Sequence, residues 1–348
     1  MKDVARRAGV SISTVSSVIN GTKRVSDELT LKVTESVDAL GYRVDPIARS
    51  LKNKKSRLIG VVMSNITSIF FPQVLKGIDD EAYKHGYNLM FFDSGNDLKR
   101  ERSCIQTLAD YNIEGLIIDT VADEGRNPEY IKYLKDRFSQ KKPVVSIEKD
   151  LDGESIGSVL IDNEESSYRA VKHLTEFGHR KIAHIGAAPE VCSLIHKRHS
   201  GYARAVSEIS GKEIYSQAEN YNSLAGYAAM RRLLMNGQEF TAVFAGNDQL
   251  AIGAIHALKE HNIRVPDDVA MVGFDDIPIA SLITPSLTTV SVPRYSMGSA
   301  AMNKIIAILD NGNIQNNEIP YKTILPTRLT VRQSTDKGAN TAWDLYGW

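Results

Sequence analysis

Apolar and polar positions along this chain follow two different rhythms, and the change falls near residue 57. Before it the spacing is helical. Val4, Ala5 and Ala8 share one face of a short helix from Asp3 to Ala8 that Gly9 closes. Ser11 is a good N-cap for a second helix with the stripe Val15, Val18 and Ile19. The Gly9-Val10 link between them is a tight turn of the helix-turn-helix kind. A third helix starts at Ser26, places Asp27 and Glu28 where the helix dipole favours acids, and offers Leu29, Val33, Val37 and Leu40 to a core. Gly41 ends it. Asp45 and Pro46 open a further stretch to Lys52, below the ~12–15 residues an isolated helix needs. Such a segment is expected to become helical only when paired with a copy of itself and held on a partner.

From Leu58 the text becomes strand–helix alternation. Strand-like runs at 58–63, 88–93, 115–119 and 143–148 form one set, and runs at 158–162, 181–186, 241–246 and 269–275 form a second. Amphipathic stretches of helical length, such as 72–85, 164–177 and 248–261, separate most of them. This predicts two α/β lobes, each a doubly wound parallel sheet, behind an all-α three-helix head. Ligands of such lobes sit beyond the carboxyl ends of the strands. Those ends are polar here: Ser64-Asn65, Asp93, Asp119, Glu148, Asn247-Asp248 and Asp275. The expected organisation is a head over 1–44, a hinge helix and linker over 45–57, and a ligand-binding core over 58–333. Within the core the first lobe takes about 58–159 and 290–320, the second about 160–289 and 321–333, and 334–348 is a tail. The Leu287–Val292 run and the Arg294–Asp310 helix are expected to return to the first lobe.

The net charge of zero conceals a split. Residues 1–57 carry twelve Lys/Arg against six Asp/Glu, and the remainder 30 against 36. A small basic module on a mildly acidic body points to a polyanionic partner, with a plain solvated surface as the alternative. The second helix leaves Ile12, Ser13, Thr14, Ser16, Ser17 and Asn20 free, short side chains suited to phosphates and base edges in a major groove. A plain helical bundle stays open beside that reading. Two cysteines make no disulfide framework, and the N-terminus lacks the apolar core of a signal peptide, so the cytoplasm is expected.

The string D-V-A-R-R-A-G-V-S-I-S-T-V-S-S-V-I-N-G, with V-S at 25–26, G-Y at 41–42 and A-R-S-L-K at 48–52, resembles the DNA-binding head of the lactose/galactose repressor (LacI-GalR) family. The resemblance implies that Ile12, Ser13 and Ser17 read bases, and that Ser11, Thr14, Ser16, Asn20, Ser26 and Tyr42 mostly hold phosphates. It also implies that Leu51, followed by Lys52, enters the minor groove from a paired hinge helix. Ser17 stands where the family usually has Arg, so a guanine contact is missing. Leu29-Thr30 and Val44-Asp45-Pro46 also depart from the usual pattern, and the first helix starts nearly uncapped. The remainder resembles periplasmic sugar-binding proteins through N-I-T-S-I-F-F at 65–71, R-H-S-G-Y at 198–202, A-G-N-D-Q-L-A-I-G at 245–253 and V-G-F-D-D at 272–276. By family position Phe70 and Phe71 would face a sugar ring. Arg198, Asn247, Asp248 and Asp275 would bind hydroxyls, with Glu148 and Tyr221 at the rim. Taken singly, the two Phe can be core, Arg198 can pair with an acid, and Asp275 can cap a turn.

A cytoplasmic, homodimeric repressor follows, binding a palindromic double-stranded DNA operator under control of a small polar effector, a sugar or polyol. No membrane association, cofactor or metal site is expected. A nucleoside, a purine or a protein co-effector is the alternative within regulators. A transport receptor would need export. An enzyme would need a phosphate-cradling loop, a nucleophile elbow or metal spacing, and the text has none of these. The tail lacks a leucine heptad, which argues against a coiled-coil tetramer.

Overall fold

A computed structural model describes residues 1–20, 23–42, 56–123, 125–139, 142–151, 155–188, 193–311 and 321–339. The expected hinge helix with Leu51 and Lys52, and the tail with Trp343 and Trp348, lie outside the described residues. The chain divides into a unit over 1–56 and a unit over 57–348, each considered by itself.

Among its described residues the first unit forms three helices, α1 (Lys2–Ala8), α2 (Ile12–Asn20) and α3 (Asp27–Ala39), around Val4, Ala5, Val15 and Val33. Gly9 closes α1 at φ 67°, a left-handed conformation that costs glycine little. Met1 caps α1 through no side-chain hydrogen bond. Leu40 differs from expectation. It is the C-cap residue, just past the last helical residue Ala39, and is 44% exposed.

The second unit holds two six-stranded sheets. The first runs β11–β5–β4–β3–β1–β2 from β1 (Leu58–Met63), β2 (Asn88–Asp93), β3 (Gly115–Ile118), β4 (Val144–Ile147), β5 (Gly157–Ile161) and β11 (Lys322–Leu325). All its pairings are parallel. The second runs β12–β10–β9–β8–β6–β7 from β6 (Ile182–Gly186), β7 (Ile214–Gln217), β8 (Ala242–Ala245), β9 (Ala270–Asp275), β10 (Thr288–Ser291) and β12 (Arg328–Thr330). It is parallel except where β12 runs against β10. β3, β4, β5, β6, β8 and β9 are buried along their whole length, as mostly apolar strands of a sheet covered by helices on both faces are.

Two crossings between lobes fall later than expected. The Leu287–Val292 run does not return to the first lobe, because Thr288–Ser291 pairs in register with Val272–Asp275 of β9. The segment from 321 is not yet second-lobe, because Lys322–Leu325 pairs with Ser158–Ile161 of β5. Between them lies α12 (Arg294–Asn311), which packs on α4 (Phe71–Lys84) of the first lobe. Glycines permit that crossing. A Cβ on Gly77 would sit 2.1 Å from the Tyr295 carbonyl oxygen, and one on Gly298 1.9 Å from that of Val74. The tail also starts later than residue 334. Ser334 and Thr335 are buried, with Ser334 Oγ donating to Met271 O at 2.6 Å and His173 Nε2 2.9 Å from Thr335 Oγ1.

Candidate functional site

In the head, Ser11 Oγ accepts from the Thr14 amide at 3.1 Å and caps α2 with a side chain that the second helix needs at its start. The same oxygen lies 2.6 Å from Ser13 Oγ and 2.9 Å from Thr14 Oγ1. Ser11, Ile12 and Ser13 are exposed, while Thr14, Ser16 and Ser17 are half-buried around the helix from the buried Val15. Asn20 is in the last turn of α2. Ser26 caps α3 in extended geometry without a side-chain bond and is exposed, whereas Tyr42 packs against the head core.

In the second unit the strand order places a switch in connection direction between β1 and β3 of one sheet and between β6 and β8 of the other. The connections from the two adjacent strands leave to opposite faces of the sheet at such points, and a crevice remains beyond the strand ends. At the first crevice Asp119 accepts from Ser64 through the amide at 3.2 Å and through the hydroxyl. At the second, the Gly246 carbonyl accepts from Arg198 Nη1 at 2.6 Å. Arg198 projects from α8 (Ser193–Glu208) and is 4% exposed. Its Nε donates to Asn163 Oδ1 at 2.8 Å, and its guanidinium lies 3.8 Å above the Phe274 ring. Nη2 is 3.5 Å from Asp275 Oδ1 and 3.9 Å from Glu148 Oε1. Glu148 follows β4 of the first lobe, so this one cation gathers acids from both lobes.

The acids pay for that convergence in proton affinity. Burial pushes Glu148 up to about 8, with Asp119 adding repulsion and Arg198 opposing it. Burial likewise lifts Asp275 to about 6 against the pull of Arg198 and Arg294. Both residues hold positive φ, 67° and 109°, a strain that clusters at ligand sites in folded proteins. The lobes also meet where Asp123 Oδ2 accepts from the Ser193 amide, at the start of α8, at 2.9 Å.

Residues 1–45 match the model of bacterial regulatory proteins of the lacI family, and residues 171–335 match that of a periplasmic binding protein-like domain. Over 338 residues the chain is 34% identical to the HTH-type transcriptional regulator RegA of Clostridium saccharobutylicum, covering 96% of this chain and 98% of RegA. The chain belongs to the LacI family of bacterial regulatory proteins. Catabolite control protein A of Priestia megaterium is 31% identical over 335 residues, 96% of this chain and 98% of its own. The lac repressor dimer bound to operator and the anti-inducer ONPF aligns with a TM-score of 0.84 at 25% identity, over 96% of this chain and 98% of that one. As a LacI-family member the chain is a DNA-binding transcriptional regulator with a two-lobed, periplasmic-binding-protein-like core.

Against this family frame the other expected cleft residues divide. Tyr221 is half-buried, and its carbonyl accepts from Asn247 Nδ2 at 3.2 Å. Asn247 Oδ1 caps α10 (Asp248–Glu260) by accepting from the Leu250 amide at 2.8 Å. Asp248 is 0% exposed, and in this structure its carboxylate is engaged within the protein. Its two oxygens take the Thr289 hydroxyl at 2.5 Å and the Ile277 amide at 2.8 Å. Gly273 makes room for it, since a Cβ there would lie 2.3 Å from Asp248 Oδ1. Asp248 therefore pins the loop that carries Asp275. Phe70 and Phe71 are each 5% exposed, edge to face at 5.3 Å, and belong to the apolar core. Their burial matches the core alternative left open by the sequence.

Asn163, which orients Arg198, and Asp123 were not singled out from the sequence. Asn163 follows the strand end Ile161, and the polar pair Asp162-Asn163 was the available signal. A buried acid outside the cleft, Glu101, accepts from Thr120 and Tyr130 hydroxyls and holds the loop that leads from Asp119 to Asp123.

Proposed function

We propose that this LacI-family regulator is a cytoplasmic, homodimeric repressor, and that a sugar or polyol in the cleft between the lobes controls its hold on a palindromic operator. The observation that carries the effector reading is Arg198, buried among Glu148, Asp275, Asn163 and the Gly246 carbonyl. Carboxylates that accept paired hydroxyls, beside a guanidinium that donates to oxygens, are the donor and acceptor set a polyol needs. The surrounding chemistry binds and releases, with no catalytic residue assigned. On the head, Ser11, Ile12, Ser13, Thr14, Ser16, Ser17, Asn20, Ser26 and Tyr42 are assigned to DNA, joined by Leu51 and Lys52 of the hinge. The lac repressor that aligns with this chain is a dimer on its operator, which supports the dimeric, operator-bound state.

Effector binding is proposed to draw the lobes together, shift the first lobes across the dimer and change the spacing of the two hinge segments. Coupling of this kind is typically worth about 1–3 kcal/mol. Thermal-shift screening of the full chain against sugars, polyols and nucleosides tests the reading, since a ligand of the native state raises its melting temperature. Asp275→Ala should then abolish the ligand's effect on operator binding in a gel-shift assay while leaving operator binding itself in place. An unchanged response to ligand would move the site elsewhere.

A further inference from the structure

The crossing from β10 into α12 leaves a buried cation with open donors. Arg294 is the first residue of α12 and is 9% exposed. Its Nη2 donates to the Asp276 carbonyl at 2.7 Å, yet Nε and Nη1 are buried and meet no acceptor among the described residues. Buried donors are paired in the great majority of cases, so each exception asks what is to be bound there.

The nearby acids do not supply the missing acceptor. The Asp276 carboxylate is taken by Arg332 at 2.8 Å, and both Asp248 oxygens are taken by Thr289 and Ile277. Asp275 faces Arg198 at 3.5 Å. All three acids nonetheless surround Arg294 with negative potential. The Asp275-Asp276 turn beside it holds φ values of 109° and 54°, so the backbone here is strained into place.

We infer that Arg294 is an effector-contact residue whose Nε and Nη1 donate to an uncharged oxygen of the ligand that Arg198 and Asp275 hold. This rests on the reading of the cleft as the effector site. The charge class follows from the surroundings. Arg198 and Arg332 are already matched by Asp275 and Asp276, and these acids oppose the Arg294 cation as well, so a hydroxyl or ring oxygen is accommodated there and a ligand carboxylate or phosphate is repelled. The site therefore selects a neutral sugar over the matching sugar acid or sugar phosphate.

The test uses the full chain with D-ribose, D-glucose, D-galactose, D-gluconate and glucose 6-phosphate, followed by thermal shift and titration calorimetry. At least one neutral sugar should bind and both anions should not. Arg294→Gln should weaken that binding tenfold or more while the melting temperature without sugar and operator affinity stay near wild type. Arg294→Lys keeps the charge and the bond to the Asp276 carbonyl within reach but loses the Nε donor. It should show the same loss, and it carries the test if the Gln variant folds poorly. Arg198→Ala serves as the control on the cleft itself. If it loses the sugar while both Arg294 variants bind as wild type, Arg294 only braces the turn and the inference fails alone. If gluconate or the phosphate ester binds instead, the charge class is wrong. If no sugar binds, or Arg198→Ala binds as wild type, the effector reading of the cleft fails and takes the inference with it.

Discussion

Glu148 and Asp275 show how far a single residue can be understood from its text. Each ends a strand with a carboxylate, and a strand end in an α/β lobe is where ligands are met, so both were legible as candidates. Their proton affinity was not legible, because it depends on which buried neighbours the fold supplies. Burial first, then Asp119, carries Glu148 from its ordinary 4.5 to about 8, and burial carries Asp275 from 3.8 to about 6. Between those limits the folded chain keeps protons that the unfolded chain has released. The stability that these two acids contribute then falls as pH rises from about 4.5 through about 8 and levels off above, since at these sites the native state binds the more protons. Above about pH 6.5, where the buried neutral His184 no longer acts in the opposite sense, melting temperature is expected to drop towards about pH 8, and Glu148→Gln to melt with a shallower pH slope. Superimposable slopes would place the retained protons on other buried acids, such as Asp119 or Glu101. Arg198 stood out in the sequence, whereas Asn163 did not, because an Asn after a strand reads equally as a cap.

Elements were legible where pattern alone decides them. The unbroken apolar runs at β1 and β3 read as covered strands, and Ser11 marked the start of α2 before any geometry was known. Ser11→Ala should cost about 1 kcal/mol through the lost cap. Faster amide exchange at residues 12–15 and weaker operator binding would report it, while effector binding should not move. Short edge strands were harder. β11 and β12 are three or four residues long and half-exposed, so their text constrains neither the lobe nor the direction. The α4–α12 crossing was also hidden, because Gly77 and Gly298 lie over two hundred residues apart and each looks like an ordinary weak point in a helix. Gly298→Val should destabilise the second unit by about 3 kcal/mol or more, as its side chain would occupy backbone space against Val74. A urea titration giving the wild-type midpoint would mean the helices part freely.

For the whole molecule, regulation requires that a basic head and a mildly acidic two-lobed body influence one another. The charge split predicts operator binding that weakens steeply between about 50 and 200 mM salt, as counterion release demands. Leu51→Ala should weaken operator binding far more than effector binding, measured by gel shift and calorimetry on the same preparation. Equal losses would remove the hinge from the coupling. Asp123→Ala removes the acceptor of the Ser193 amide across the cleft and should weaken effector binding several-fold without touching operator affinity in its absence. Unaltered calorimetry would show that the contact is incidental to closure. Local rules determined the head, the strand–helix alternation and the candidate Arg and acids, because caps, periodicity and charge act over a few neighbouring residues. Tertiary structure alone decided which lobe received β10 and β11, that Asp248 is a brace, and that Arg294 sits buried with donors to spare. Those outcomes depend on pairing register, burial and partners brought from distant parts of the chain, which no local stretch of sequence contains.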